Sequence, residues 1–320
     1  MSQRYVLAIH GGAGTIAPSA DRAAEEAYHA ALRDATAAGQ AVLAAGGKAL
    51  DAAVAAVVAL EDCPLFNAGR GSVYTSDAVH EMDASVMDGR TQAAGAVACV
   101  RNVRNPVVLA RAVMEHSNCV LLTSDGAERF ARERGIPFAP SEYFATKERL
   151  DQLHRAIARQ SGAVLDHSGA ADLQKDKSPI NPDQKFGTVG AVALDRDGNL
   201  ASAVSTGGLT NKKPGRIGDT PVIGAGCYAN NQVAVAATGT GEYFIRAVAA
   251  YDIAARMNYG GATLEAAARA TVFDRLNALG GSGGLIALDR DGNLATPFNT
   301  SGMYRAWVYE QEEIVTRIFL

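Results

Sequence analysis

Three groups of residues in this 320-residue chain have the types and spacing to do chemistry. The first is a pair of threonines. In "DQKFGTVGAVALDRDGNLA" (183–201), Gly187-Thr188 stands where a polar stretch passes into a strand pattern, and "VSTGG", with Thr206, follows across a turn. If Asp195-Arg196-Asp197-Gly198 forms a type I turn with Gly198 in the left-handed position of a bulge, Asp195 pairs with Asn199. Counting outward in that register puts Thr188 directly across from Thr206, with both hydroxyls on one sheet face. A two-residue loop at Asp197-Gly198 would set Thr206 against Val189 and turn it away. The first register is preferred, although facing threonines are also ordinary sheet decoration.

The second group is "ATGTGEYFIRAVAAYD", where Thr238, Gly239, Thr240 and Gly241 join a strand pattern to a helical one and unpaired N–H groups can converge on negative charge. A dinucleotide site would use the same geometry, but the third glycine of GxGxxG and a P-loop lysine are missing, and Glu242 would repel phosphate. An oxyanion site is the more economical reading. The third group is Arg216 and Asp219 in "NKKPGRIGDTP". They read either as a solvent-exposed ion pair or as a clamp for an α-amino acid, Arg gripping a carboxylate and Asp accepting from an ammonium. His10, His80 and His167 have no GxSxG or HExxH context and read as structural.

These residues need elements to position them. "YVLAIH" reads as a strand, near a sheet edge, stopped by the glycines of "HGGAG". Helical patterns follow at about 20–45 and 48–61, parted by Gly46-Gly47, and should cover a sheet face. A hairpin is expected around Asp88-Gly89, then a helix with Asn105 as N-cap and Pro106 in its first turn. Residues 161–187 lack periodicity and read as a flexible linker. "ALDRDGNLA" occurs at 193–201 and again at 287–295, with helical patterns at about 242–257 and 263–279 between. Strands, helices, then strands suggest layered α+β packing.

The 30 basic and 34 acidic residues give a net charge of −4, so no cationic surface calls for nucleic acid or an anionic membrane. Small molecules or peptides are the expected partners. The opening lacks the apolar core of a signal peptide, and no stretch is apolar over the ~20 residues a membrane span needs, so a cytoplasmic protein is expected. Cys63, Cys99, Cys119 and Cys227 lack CxxC spacing and read as ordinary buried thiols.

Taken together, the chain resembles the plant-type asparaginases, also called isoaspartyl aminopeptidases or isoaspartyl peptidase/L-asparaginases, among the N-terminal nucleophile hydrolases. "AIHGGAG", "LEDCPLFNAGRGSV", "EMDASVMDG", "GTVGAVALD", "STGG", "PGRIGD", "GAGCYANN", "TGTGE" and "GGSGGLIALD" carry the resemblance over nearly the whole chain. It implies an αββα four-layer sandwich, made as one inactive chain that cuts itself between Gly187 and Thr188. Residues 1–187 would become an α subunit with 161–187 as its tail, and 188–320 a β subunit, the two forming one structural domain. Thr188 would be nucleophile and, through its freed α-amine, general base.

The resemblance further implies that Thr206 orients Thr188 and that Thr238 and the N–H of Gly239 form the oxyanion hole. Arg216 and Asp219 would hold the substrate's α-carboxylate and α-ammonium, with the Gly241 carbonyl assisting, and Asn67 would lie near the cleavage site. A loop of main-chain carbonyls from Leu60, Glu61, Cys63, Phe66, Ala68 and Arg70 would bind a structural Na+; no catalytic cofactor is implied. The reaction would be hydrolysis of L-asparagine and β-aspartyl dipeptides at the β-amide, by a dimer of αβ units. Glycosylasparaginases share the fold but typically place Asp where this chain has Gly187, and taspase-like proteases carry longer insertions. A non-catalytic amino-acid-binding module or a nucleotide-binding protein is the reading from a different class.

Overall fold

Strand β5 (Val189–Leu194) is apolar on both faces, β6 (Leu200–Thr206) adds the polar Ser202, Ser205 and Thr206, and both strands are buried on both faces. Val189, Ala191 and Ala193 pack with Leu50, Val54 and Val57 of the helix Ala49–Asp62. Val192 and Leu194, pointing the other way, pack with Ala234, Ala236, Ile286 and Leu288. A third apolar cluster joins Val233, Val235 and Leu285 to Phe244, Ile253 and Val272. Each Val, Leu, Ile or Phe among them, when fully buried, contributes about 1.5–3 kcal/mol.

The computed structural model describes residues 4–14, 22–158 and 187–320, so the expected linker, except Gly187, and His167 lie outside the described residues. The remaining strands are β1 (Val6–Gly14), β2 (Met82–Asp88), β3 (Ala94–Val100), β4 (Leu121–Thr123), β7 (Cys227–Ala229), β8 (Val233–Gly239), β9 (Gly283–Asp289), β10 (Leu294–Ala295), β11 (Gly302–Tyr309) and β12 (Val315–Arg317). One sheet runs β12-β11-β1-β5-β6-β2-β3-β4 and the other β10-β9-β8-β7. Only the β3–β4 pairing within these sheets is parallel. The helices are α1 (Arg22–Ala44), α2 (Ala49–Asp62), α3 (Pro106–His116), α4 (Ser124–Glu133), α5 (Ser141–Phe144), α6 (Lys147–Ala158), α7 (Gly241–Ala247), α8 (Ala249–Gly260) and α9 (Leu264–Arg269). A wide turn over Ala270–Leu276 leads into α10 (Asn277–Leu279). The expected α+β class holds, and none of the described helices is long and apolar enough to cross a membrane.

The β5–β6 hairpin takes the preferred register. Asp195 N–H donates to Asn199 O at 3.0 Å, Gly198 has φ 79°, and pairing runs down to Val189 opposite Ser205, one step short of the threonines. The repeated words at 287–295 fold alike, with Asp289 N–H on Asn293 O. Asp195 does more than shape its turn. Its Oδ2 accepts from Ala49 N–H at 3.1 Å, capping α2, whose own N-cap residue Lys48 makes no side-chain cap.

Several expectations are corrected. β1 does not stop at the glycines and is no edge strand; it runs to Gly14 between β11 and β5, with a bulge between His10 and Gly12. The pattern at 242–257 is not one helix, because Val248 adopts a left-handed conformation (φ 49°) that separates α7 from α8; a β-branched residue gives no warning of this. The turn at Asp88-Gly89 spans 89–93, with Gln92 at φ 59°. Cys99 and Cys227 are buried, but Cys63 is only partly so and Cys119 is exposed; all four are free.

Asn105 and Pro106 start α3 as expected, yet Asn105 makes no side-chain cap. Glu61 Oε1 instead accepts from Val107 N–H at 3.0 Å. Burial raises the Glu61 carboxyl to about 8, against that hydrogen bond. Its folded pKa exceeds its unfolded one, so the folded chain binds the extra proton and stability falls as pH rises from the ordinary carboxylate range toward 8. Glu61→Gln, neutral throughout, is expected to lose less melting temperature than the wild type between pH 5 and pH 8. Equal losses would show that Glu61 does not titrate in this window.

Candidate active site

The hairpin register brings Thr188 to the mouth of a small pocket lined by Gly187, Thr188, Thr206, Gly208, Leu209, Arg216, Gly218, Asp219, Thr220 and Gly239. Its volume is about 10 Å³, room for roughly one water. Gly187 is itself part of the wall. Behind it stands Gly12, at φ 110° in the β1 bulge, where a Cβ would sit 2.6 Å from Gly187 N. Gly12 therefore lets β1 approach Gly187.

Thr188 is buried, and its Oγ1 lies 3.2 Å from Oγ1 of Thr220, also buried. Thr206, opposite in register, turns its Oγ1 to accept from Gly208 N–H at 3.0 Å. The expected Thr188–Thr206 neighbourhood is present, but the side-chain hydrogen bond runs to Thr220 instead. Thr220 escaped the sequence reading because it belongs to the Arg216–Asp219 loop, and nothing in "GDTP" tells which strand that loop folds against.

Arg216 and Asp219 both reach the pocket, but they are not the surface ion pair considered above. Arg216 donates through Nε and Nη2 to the two carboxylate oxygens of Glu242, each at 2.9 Å. That uses one edge of the guanidinium; Nη1 lies on the Gly218 side, 2.9 Å from where a Cβ there would stand. Asp219 is buried, and its Oδ2 has no partner among the described residues. Gly241 packs against both: a Cβ there would sit 2.8 Å from Asp219 Oδ1 and 3.1 Å from Arg216 Nη2.

Burial raises the Asp219 carboxyl to about 7, with the Arg216 charge pulling it down. Below that pH it is protonated and cannot balance an ammonium. For a substrate bound through its α-ammonium, KM is therefore expected to climb as pH falls through 7, while KM in Asp219→Asn is high and flat. A flat wild-type profile would remove Asp219 from ammonium binding.

Gly239 lines the pocket at φ 151°, and a Cβ there would come within 2.4 Å of Ser282 O. Thr238 is fully buried at the end of β8, with Oγ1 unpartnered among the described residues. α7 is seven residues long and carries Glu242 in its first turn, already committed to Arg216, which weighs further against a phosphate. Asn67 lies beside the Gly207-Gly208 turn, whose Gly208 lines the pocket. Its Nδ2 donates to Gly208 O at 2.8 Å and its Oδ1 accepts from Val73 N–H at 3.0 Å, so it staples the Gly207-Gly208 turn.

Burial lowers His10 to about 3 and His80 to about 4, keeping both neutral, in line with structural roles. In the 60–70 loop, glycines pack onto carbonyls. A Cβ at Gly69 would meet Glu61 O at 2.4 Å and one at Gly71 would meet Phe66 O at 2.0 Å. Only glycine fits against these carbonyls.

The profile of a protein family described as "Asparaginase" matches residues 3–318. The chain belongs to that family. Among its relatives, the isoaspartyl peptidase of Escherichia coli (strain K12) is 56% identical over 319 residues, covering 99% of this chain and 96% of that protein. The isoaspartyl peptidase of Salmonella typhimurium is 55% identical, covering 99% of each. The isoaspartyl peptidase/L-asparaginase of Xenopus laevis is 40% identical, covering 96% of this chain and 93% of its own. The resemblance read from the motifs is borne out, and this asparaginase-family protein is an enzyme of that type.

Proposed function

We propose that the protein is a self-processing threonine amidohydrolase that cleaves the β-amide of L-asparagine and of β-aspartyl dipeptides. One observation carries the reading: a single pocket gathers a Gly-Thr bond, a second threonine, an arginine and a buried aspartate. The names of the relatives, isoaspartyl peptidase and isoaspartyl peptidase/L-asparaginase, support it.

Maturation comes first. Thr188 Oγ1 attacks the carbonyl carbon of Gly187; the new C–O bond forms as the Gly187–Thr188 C–N bond breaks, and the hydroxyl proton ends on the departing nitrogen. Water then hydrolyses the ester, giving an α subunit (1–187) and a β subunit (188–320) that stay together in one αββα four-layer domain. The three apolar clusters support that layering. Cutting frees Gly187, which lines the pocket, to move away from it.

In turnover, the new α-amine of Thr188, with a reference pKa of about 7.7–8.0, takes the hydroxyl proton. Oγ1 attacks the β-carbonyl, and the amine passes the proton to the leaving nitrogen. Ammonia or an amino acid departs, and water resolves the acyl-enzyme to aspartate. Arg216 holds the α-carboxylate through its remaining guanidinium edge, Asp219 the α-ammonium with help from the Gly241 carbonyl, and Gly239 N–H with Thr238 Oγ1 the oxyanion. Thr206, its oxygen already accepting from Gly208, keeps a proton to donate toward the nucleophile. Matured protein should release ammonia from L-asparagine and leucine from β-Asp-Leu, each with aspartate; hydrolysis of neither would sink the proposal.

The carbonyls of Leu60, Glu61, Cys63, Phe66, Ala68 and Arg70 would hold a structural Na+ that stiffens the loop bearing Asn67. Replacing Na+ by choline should lower the melting temperature by a few degrees, as loss of a native-state ligand does; no change would argue for a self-sufficient loop. A dimer of αβ units in the cytoplasm completes the proposal, the four free cysteines fitting a reducing compartment.

A further inference from the structure

In the uncut chain the nitrogen of Thr188 is an amide and cannot serve as a base, so something else must hold the hydroxyl that is to attack Gly187. Among the described residues, Thr188 Oγ1 has one side-chain partner, Thr220 Oγ1 at 3.2 Å. Thr206, the residue facing Thr188 across the hairpin, spends its oxygen on Gly208 N–H. Thr220 is also firmly placed. Its carbonyl accepts from Ser85 Oγ of β2 at 2.5 Å, while the carbonyl of the preceding Asp219 accepts from Val222 N–H at 2.9 Å and Gly226 N–H at 3.1 Å. Those anchors are main-chain groups, so they leave the Thr220 hydroxyl as a spare, pre-positioned contact on the pocket side.

From this geometry we infer that Thr220 is a positioning residue: its hydroxyl selects the rotamer of Thr188 from which Oγ1 attacks, first on Gly187 and then on substrate. A β-branched side chain has few χ1 states, so one buried hydrogen bond is enough to choose among them. The same residue ties the nucleophile to the loop that carries Arg216 and Asp219, fixing the distance between the clamp and the attacking oxygen. The inference rests on Thr188 being the nucleophile.

The test uses full-length Thr220→Val and Thr220→Ser, both of which keep the backbone anchors. The rate of chain cutting is followed by intact-mass spectrometry, and kcat and KM on L-asparagine are measured after full maturation. Thr220→Val is expected to slow cutting and lower kcat by about tenfold, the weight of one buried hydrogen bond, with KM nearly unchanged. Thr220→Ser, which restores the oxygen, is expected to recover most of both rates. Wild-type rates in Thr220→Val, or a Thr220→Ser as slow as Thr220→Val, would overturn the role of the hydroxyl. Thr188→Ala, run alongside, separates the two levels. If it still hydrolyses L-asparagine, the nucleophile reading fails and Thr220 loses its role with it; if it is inactive while Thr220→Val is normal, only the inference about Thr220 fails.

Discussion

Thr188→Ala is expected to remain one chain of 320 residues and to lose hydrolysis of L-asparagine by about 10⁴-fold or more, the scale on which hydrolases lose activity when the nucleophile is removed. Both effects follow from one missing oxygen. Without Oγ1 there is no acyl shift at Gly187, hence no free α-amine, no opened pocket and no acyl-enzyme. Thr188→Ser keeps the oxygen but drops the methyl group that narrows χ1, so it should still be cut, more slowly. Mass spectra and ammonia release on the same preparations check this. Cut, active Thr188→Ala would place the nucleophile elsewhere.

The second large effect concerns which amide is cleaved. A pocket that grips the α-carboxylate and α-ammonium of one aspartyl unit leaves only its side-chain carbonyl for Thr188, so the scissile bond is a β-amide. In α-Asp-Leu the α-carboxylate is consumed in the peptide bond, and Arg216, whose side chain is only 15% exposed, would face an uncharged amide. Leaving a buried polar group unmatched can discriminate by about 10⁴–10⁵-fold. Mature wild type is therefore expected to hydrolyse β-Asp-Leu and to leave α-Asp-Leu untouched at that level. Arg216→Ala should mature normally but lose most of its kcat/KM on β-Asp-Leu. Comparable rates on the two dipeptides would reverse the substrate orientation, and normal kinetics in Arg216→Ala would remove the clamp.

The hairpin was legible in the sequence for a physical reason. Asp195 and Gly198 set a turn whose geometry fixes the register locally, so the position of Thr188 relative to Thr206 needed only counting. Arg216 and Asp219 could be singled out together from charge and spacing, and both line the same pocket. What the sequence hid depends on tertiary approach. Thr220 meets Thr188 from 32 residues away, Glu242 reaches Arg216 from 26 away, and Gly12 backs the cleavage bond from the neighbouring strand β1. Asn67 was placed by motif near the bond, and the structure adds that its amide staples the neighbouring Gly207-Gly208 turn. Val248 shows the opposite limit, since local propensity favours a continuous helix and the fold imposes a break.

The most direct measurement is a time course of intact-mass spectra on purified wild-type protein, with L-asparagine hydrolysis assayed at each point. Two species, residues 1–187 and 188–320, are expected to replace the full chain, and activity to rise in step with them. Full activity from a chain that stays whole, or cutting at a bond other than Gly187-Thr188, would contradict an enzyme whose nucleophile and base are made by its own cleavage.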